Sequence, residues 1–141
     1  MFEWPPHLHP MVVHFPIVLF LIALMLDILS FMTKKEHFHP SAITLYVMAA
    51  FITPLVVRTG ILEATKLGLS HPLLDRHREF ALWTMWISLM SLPVLWLIKK
   101  EATKYFRIIF LMFMISTAIL VSVGADKGGR MVFEYGVGVE E

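Results

Sequence analysis

Four long apolar stretches, separated by short polar connectors, dominate the chain. They run over residues 11–32, 41–57, 80–98 and 105–123. Each is about 17–22 residues long, the number that crosses a roughly 30 Å hydrocarbon layer at about 1.5 Å per residue. A spanning segment must satisfy its own backbone polar groups, so each is expected to be a helix. Pro10 stands at the entrance of the first, and Pro16, Pro54 and Pro93 lie inside spans, where neighbouring helices tolerate a kink. Short connectors make consecutive helices antiparallel neighbours. The pattern predicts an all-α fold, a transmembrane four-helix up-down bundle in a single domain over residues 1–141. A tail over residues 124–141 is expected to fold back over the bundle end.

Composition agrees with a bilayer environment. Of 141 residues, 57% are hydrophobic and only 16% charged, whereas soluble domains carry about 25% charged residues. The net charge of +1 gives no basic face for nucleic acid. The absence of cysteine excludes disulfides, thiolate metal sites, iron–sulfur clusters and covalently attached c-type haem. The N-terminus lacks the basic flank of a secretory signal, and the first apolar run is long enough to span.

The side holding both termini and the connector between spans two and three is called side A, and the opposite side, side B. The basic residues divide evenly. Arg58, Lys66, Arg76, Arg78, Lys127 and Arg130 lie on A, and Lys34, Lys35, Lys99, Lys100, Lys104 and Arg107 on B. Those on B form tight clusters at span ends, and the segment before span one has no Lys or Arg. Both features point to B as cytoplasmic. Trp4, Trp83 and Trp86 fall near the A interface and Trp96 near B, as in an aromatic belt.

Five of the seven histidines, His7, His9, His14, His71 and His77, map to side A. Only His37 and His39 map to B. Threading four spans brings the start of span one beside the start of span three, so His9 and His14 are expected near His71 and His77. A single histidine at a helix entrance is usually a wetted interfacial residue. A group of them at one depth, with His14 inside an apolar span, is a functional candidate. Small residues continue the face of His77 through Ala81, Thr84, Ser88 and Ser91, and span two offers Ala42, Ala49, Thr53 and Gly60. Such stripes serve close helix packing or leave a slot for a flat cofactor.

A porphyrin fits this combination. Haem iron accepts two axial imidazoles, and Arg58, Arg76 and Arg78 lie at the right depth for the propionates. Their alternative role is interface anchoring. Asp27, the acid inside a span, is expected to pair with Lys34 or Lys35, or to reach the headgroups; a proton-relay role, for which the sequence offers no partner, is the alternative. Gly128 and Gly129 are expected to bend the tail, and Met131, Val132, Phe133 and Tyr135 to dock it.

Three stretches carry a resemblance: LHPMVVHFPIVL at residues 8–19, RTGILEA at 58–64 and KGGRMVFEYGVGVE at 127–140. Together they resemble a bacterial family of small four-helix membrane proteins described as a domain of unknown function. Its members carry HP-x-x-VHFPI at the first helix, a histidine opening the third, and a GG-x-x-V-x-x-x-GVGV tail. The resemblance implies a redox role as a minimal b-haem membrane reductase. It assigns His9 and His14 to the first motif and His77 to the helix-three histidine. The chain departs at Tyr135, where many relatives have histidine, so the tail supplies no imidazole.

The resulting expectation is a b-haem membrane oxidoreductase in the bacterial inner membrane, with both termini extracytoplasmic. Electrons would pass from a membrane donor such as quinol to an acceptor on side A. His14 and His77 are the first-choice axial ligands, with His9 and His71 as alternatives or a second pair. A second haem near His37 and His39 stays open, as does a homodimer. Two rivals remain: a Zn- or Cu-binding, metal-handling protein using the same histidines, and a non-catalytic membrane assembly factor.

Overall fold

The computed structural model describes residues 8–101 and 104–136, without the side chains of residues 98–101 and 104. His7, Trp4 and the end of the GVGV motif lie outside the described residues. The described chain is helical and strand-free: α1 (Leu8–Val12), α2 (His14–Thr33), α3 (Phe38–Lys66), α4 (Pro72–Glu101) and α5 (Lys104–Phe133). The break at Val13 between α1 and α2 has a local cause. Pro16 lacks the N–H that would reach back to the carbonyl of residue 12. Together α1 and α2 make one span over Leu8–Thr33. The others, Phe38–Lys66, Pro72–Leu97 and Tyr105–Phe133, are likewise long and apolar enough to cross a bilayer.

The helices close into a four-sided bundle in which α2 packs on α3, α3 on α4, α4 on α5 and α5 back on α2; α1 lies against α3. Direction alternates. The B end joins the last turns of α2 to the starts of α3 and α5, and the A end joins the start of α4 to the last turns of α5.

The side chains are distributed as a bilayer requires. Large apolar residues face outward: Phe15, Met25, Phe51, Leu55, Met90 and Met112 are all exposed, as are Trp83, Trp86 and Trp96. The interior takes small and hydroxyl-bearing residues, among them Ala23, Ala42, Ala49, Ser88, Ser91 and Thr117. Lipid is as apolar as leucine, so helices gain little by burying leucine against each other. Close packing and internal hydrogen bonds hold them instead. At the centre Tyr46 is fully buried between the ring edges of Phe20 and Phe110, each 5.1 Å away. Its hydroxyl meets Thr117 Oγ1 at 2.9 Å and accepts from Ser91 Oγ at 3.2 Å, tying α3 to α5 and α4.

Two expectations are corrected. The chain does not turn back at residue 124. Instead α5 continues through Gly128 and Gly129 to Phe133. A helical glycine costs only about 1 kcal/mol against alanine, and neither one here takes a positive φ. Phe133 is 91% exposed and does not dock, whereas the ring of Tyr135 lies against that of His71. Asp27, in turn, pairs with neither lysine. It is 1% exposed and bonded to His39 Nδ1 at 2.5 Å. Lys34 and Lys35 are exposed in the connector, which turns through Lys34 at φ 57°, while His39, the second residue of α3, sits at the depth of Asp27.

Thr117 and Ser91 each keep a backbone carbonyl partner besides Tyr46. Tyr46→Phe should therefore cost only about 0.5–1.5 kcal/mol, and Tyr46→Ala about 3–5 kcal/mol through the cavity it leaves. Denaturant unfolding in detergent micelles measures both, and a Phe variant as weak as the Ala variant would mean the hydroxyl matters more than the ring.

Candidate functional site

A small cleft opens into the bundle at side A, with a cavity volume of about 60 Å³, below the roughly 300–1,000 Å³ of sites that enclose a cofactor. The walls are mostly apolar, with Val13, Ile17, Val57, Ala81 and Leu120 among them. Two imidazoles line it, His9 from α1 and His77 from α4. Their ring centroids are 6.1 Å apart and their planes cross at 77°.

Both rings are held the same way. His77 Nδ1 lies 2.7 Å from the carbonyl of Gly124. His9 Nδ1 lies 3.1 Å from the carbonyl of Val56 and 3.2 Å from Thr59 Oγ1. A carbonyl can only accept, so in each ring Nδ1 carries the proton and Nε2 keeps a lone pair. Metal-ligating histidines are oriented in this manner, with the far nitrogen donating to a carbonyl or carboxylate. Glu63 adds a further anchor. Its Oε2 accepts the backbone N–H of His9 at 3.0 Å, one of the donors the start of a helix leaves without an intrahelical partner.

Two glycines make room for the rings. A Cβ on Gly60 would stand 2.8 Å from His9 Cε1, and one on Gly128 would stand 3.1 Å from His77 Cε1. Gly60 thus serves as the seat of an imidazole on α3, and Gly128 as its counterpart on α5. Gly129, with nothing within 4 Å of its added Cβ, plays no such part.

The remaining expected residues fall elsewhere. His14 is exposed, with its Nδ1 turned back to the carbonyl of Pro10 at 3.0 Å, and it does not line the cleft. His9 and His14 are five residues apart, roughly 140° around a helix of 3.6 residues per turn, so both cannot face one cleft. The structure pairs His77 with His9, not with the first-choice His14. His71 lies in the α3–α4 connector. Its Nδ1 accepts the Leu73 N–H at 3.2 Å, capping α4, and its ring lies 4.9 Å from that of Tyr135. Arg58, Arg76 and Arg78 are exposed at the same end, and Arg76 reaches Glu79 at 3.2 Å. At side B, His37 stacks against Phe38. Among the described residues, no three His, Cys, Asp or Glu side chains converge as a metal group.

His9 and His77 have the donor type and the ring separation that a haem iron would take. Two imidazoles on opposite faces of one iron, at metal–nitrogen bonds of about 2 Å, have ring centroids roughly 6 Å apart, close to the separation found. Porphyrin supplies four ligands and leaves two open, so a pair suffices, whereas a bare zinc ion takes at least three protein ligands.

A family model described as a predicted membrane protein, DUF2231, matches residues 5–141. The chain belongs to this family. No curated protein and no solved structure matches it. The DUF2231 match covers both histidine-bearing helices and both glycine seats.

Gly60→Ala and Gly128→Ala are each expected to displace a ring and destabilise the protein by about 1–3 kcal/mol. Gly129→Ala should be neutral or stabilise by up to about 1 kcal/mol. Unfolding of the three variants in the same detergent checks this; equal effects at 128 and 129 would reduce the seat to ordinary helix propensity.

Proposed function

We propose that this DUF2231 protein is a b-haem oxidoreductase of the bacterial plasma membrane, holding one haem between His9 and His77 at the side-A end. The observation that carries this reading is the pair itself: two imidazoles facing one cleft, each with Nδ1–H anchored on a backbone carbonyl and Nε2 left for a metal. When bound, haem supplies one-electron chemistry at its iron. The protein's own residues do the rest. Val56 and Gly124 fix the ring tautomers through their carbonyls. Gly60 and Gly128 let the rings sit against helix backbone. Val13, Ile17, Val57 and Leu120 line the pocket with apolar surface and limit water. Arg58, Arg76 and Arg78, at the rim of the bundle, are suited to propionates, which prefer the wet edge.

The pair lies at one end of the bundle, so a single chain exchanges electrons on side A and does not by itself carry them across the bilayer. A membrane-soluble quinol as donor and an acceptor in the extracytoplasmic space suit that position. The tight clustering of lysines at the span ends of side B, and the absence of Lys and Arg before span one, favour side B as the cytoplasmic side.

Protein made with ample haem supply and purified in detergent should show a Soret band that sharpens and shifts on dithionite reduction, with resolved α and β bands. His9→Ala and His77→Ala should each abolish the low-spin spectrum, while His14→Ala leaves it in place. A featureless wild-type spectrum would remove the haem reading, and loss of the spectrum in His14→Ala alone would return the ligand to the outer face of α2.

A further inference from the structure

The B end holds a second ionisable centre that the haem reading does not use. Asp27 lies about 9 Å inside the end of α2, counting its six residues to Thr33 at about 1.5 Å each, and is 1% exposed. Its Oδ1 pairs with His39 Nδ1. Among the described residues its Oδ2 is buried with no hydrogen-bond partner, and so is Arg107 Nε from α5. The other guanidinium nitrogens of Arg107 reach Ser30 Oγ at 3.1 Å and Glu36 Oε2 at 3.3 Å, and its plane lies 5.1 Å from the Phe31 ring centroid. Lys34, Lys35 and His37 in the connector are exposed. The α4 end nearby carries Lys99, Lys100 and Glu101, whose side chains lie outside the described residues.

We propose that Asp27 and His39 form a proton-exchange site at the side-B end of the bundle, independent of any group held at His9 and His77. Ionisable side chains inside a span are costly, and those present commonly mark proton or ion sites. The geometry supplies what such a site needs. His39 donates Nδ1–H to the Asp27 carboxylate, which leaves Nε2 as the proton acceptor. His39 is 14% exposed, so the dyad meets the side-B surface, while Asp27 is sealed behind it. With His39 neutral, Asp27, Glu36 and Arg107 leave one net negative charge. A proton taken from water at Nε2 cancels it, no covalent bond between heavy atoms changes, and release returns the proton to water. The open Oδ2 can accept one further hydrogen bond, from a water or from the proton itself. A purely structural clasp between α2 and α3 would need none of this and would stay in one protonation state.

Ring-nitrogen NMR of histidine-labelled protein in lipid nanodiscs tests the site. His39 is expected to pass from neutral to doubly protonated between about pH 9 and about pH 5, taking up one proton. The His9→Ala/His77→Ala double variant should behave identically, so failure of the haem reading leaves this result untouched. In Asp27→Asn the ring should bind its proton more weakly, because the carboxylate that favours the charged imidazole is gone. An unmoved midpoint would overturn the coupling of the two residues. If Asp27→Asn does not fold, the wild-type titration alone decides: a His39 ring held in one form across the whole range overturns the proposal.

Discussion

A polar group inside hydrocarbon has no water to turn to, and this constraint organises the molecule from backbone to site. It makes the four spans helical, because only a helix satisfies its own amides without a neighbour. It also inverts the usual distribution of side chains. Phe51, Leu55 and Met90 meet the lipid, while Ser88, Ser91, Thr53 and Thr84 turn inward. Most of those hydroxyls donate to a carbonyl one turn back on their own helix, a local solution that asks nothing of the next helix. Tyr46 is the exception that joins three helices, and its aromatic flanks fill a core otherwise made of small residues.

The same constraint explains why the histidines are anchored as they are. An imidazole in a largely apolar cleft must place both nitrogens. A carbonyl takes one proton from each ring, at Val56 and at Gly124, and only the Nε2 edge is left over. Carbonyls inside a helix are normally committed to the amide four residues on, but each has a second lone pair, and that spare acceptor orients the rings. Glycine completes the device. Without Gly60 and Gly128 the rings could not approach the backbone of α3 and α5 closely, and the two imidazoles would stand farther from the helices that hold them.

Much of this was legible in the sequence, and the misses have physical reasons. Span number, helical class and the clustering of histidines at one end follow from apolar length and from alternating direction. The choice between His9 and His14 was also within reach, since a five-residue offset on a helix puts only one of them on any given face. The partner of Asp27 was nearly as accessible. It lies a turn and a half before the end of one helix, and His39 lies just inside the next, so a short connector brings them to one depth. The ring seats were not legible, because a glycine that clears space for a side chain from another helix looks like any other glycine in a small-residue stripe. The tail misled for the opposite reason. Gly128 and Gly129 read locally as a bend, yet packing of α5 against α4 outweighs about 1 kcal/mol per glycine, and Arg130 bridges to Glu134 along the continuing helix at 3.0 Å.

Distance along the bundle then limits what one chain can do. His39 and Gly60, on the same helix, mark the levels of the two ionisable centres, and the 21 residues between them span roughly 30 Å. The middle of that path holds Tyr46, Phe20 and Phe110, closely packed and without a second pair of imidazoles among the described residues. A redox group at the His9–His77 end is therefore adjacent to side A and remote from side B, while the Asp27–His39 dyad has the reverse placement. Electrons and protons would enter this protein from opposite faces of the membrane. Any linkage between them would act through the packing and electrostatics of the four helices, since the hydrogen bonds described above form no continuous chain of side chains between the two ends.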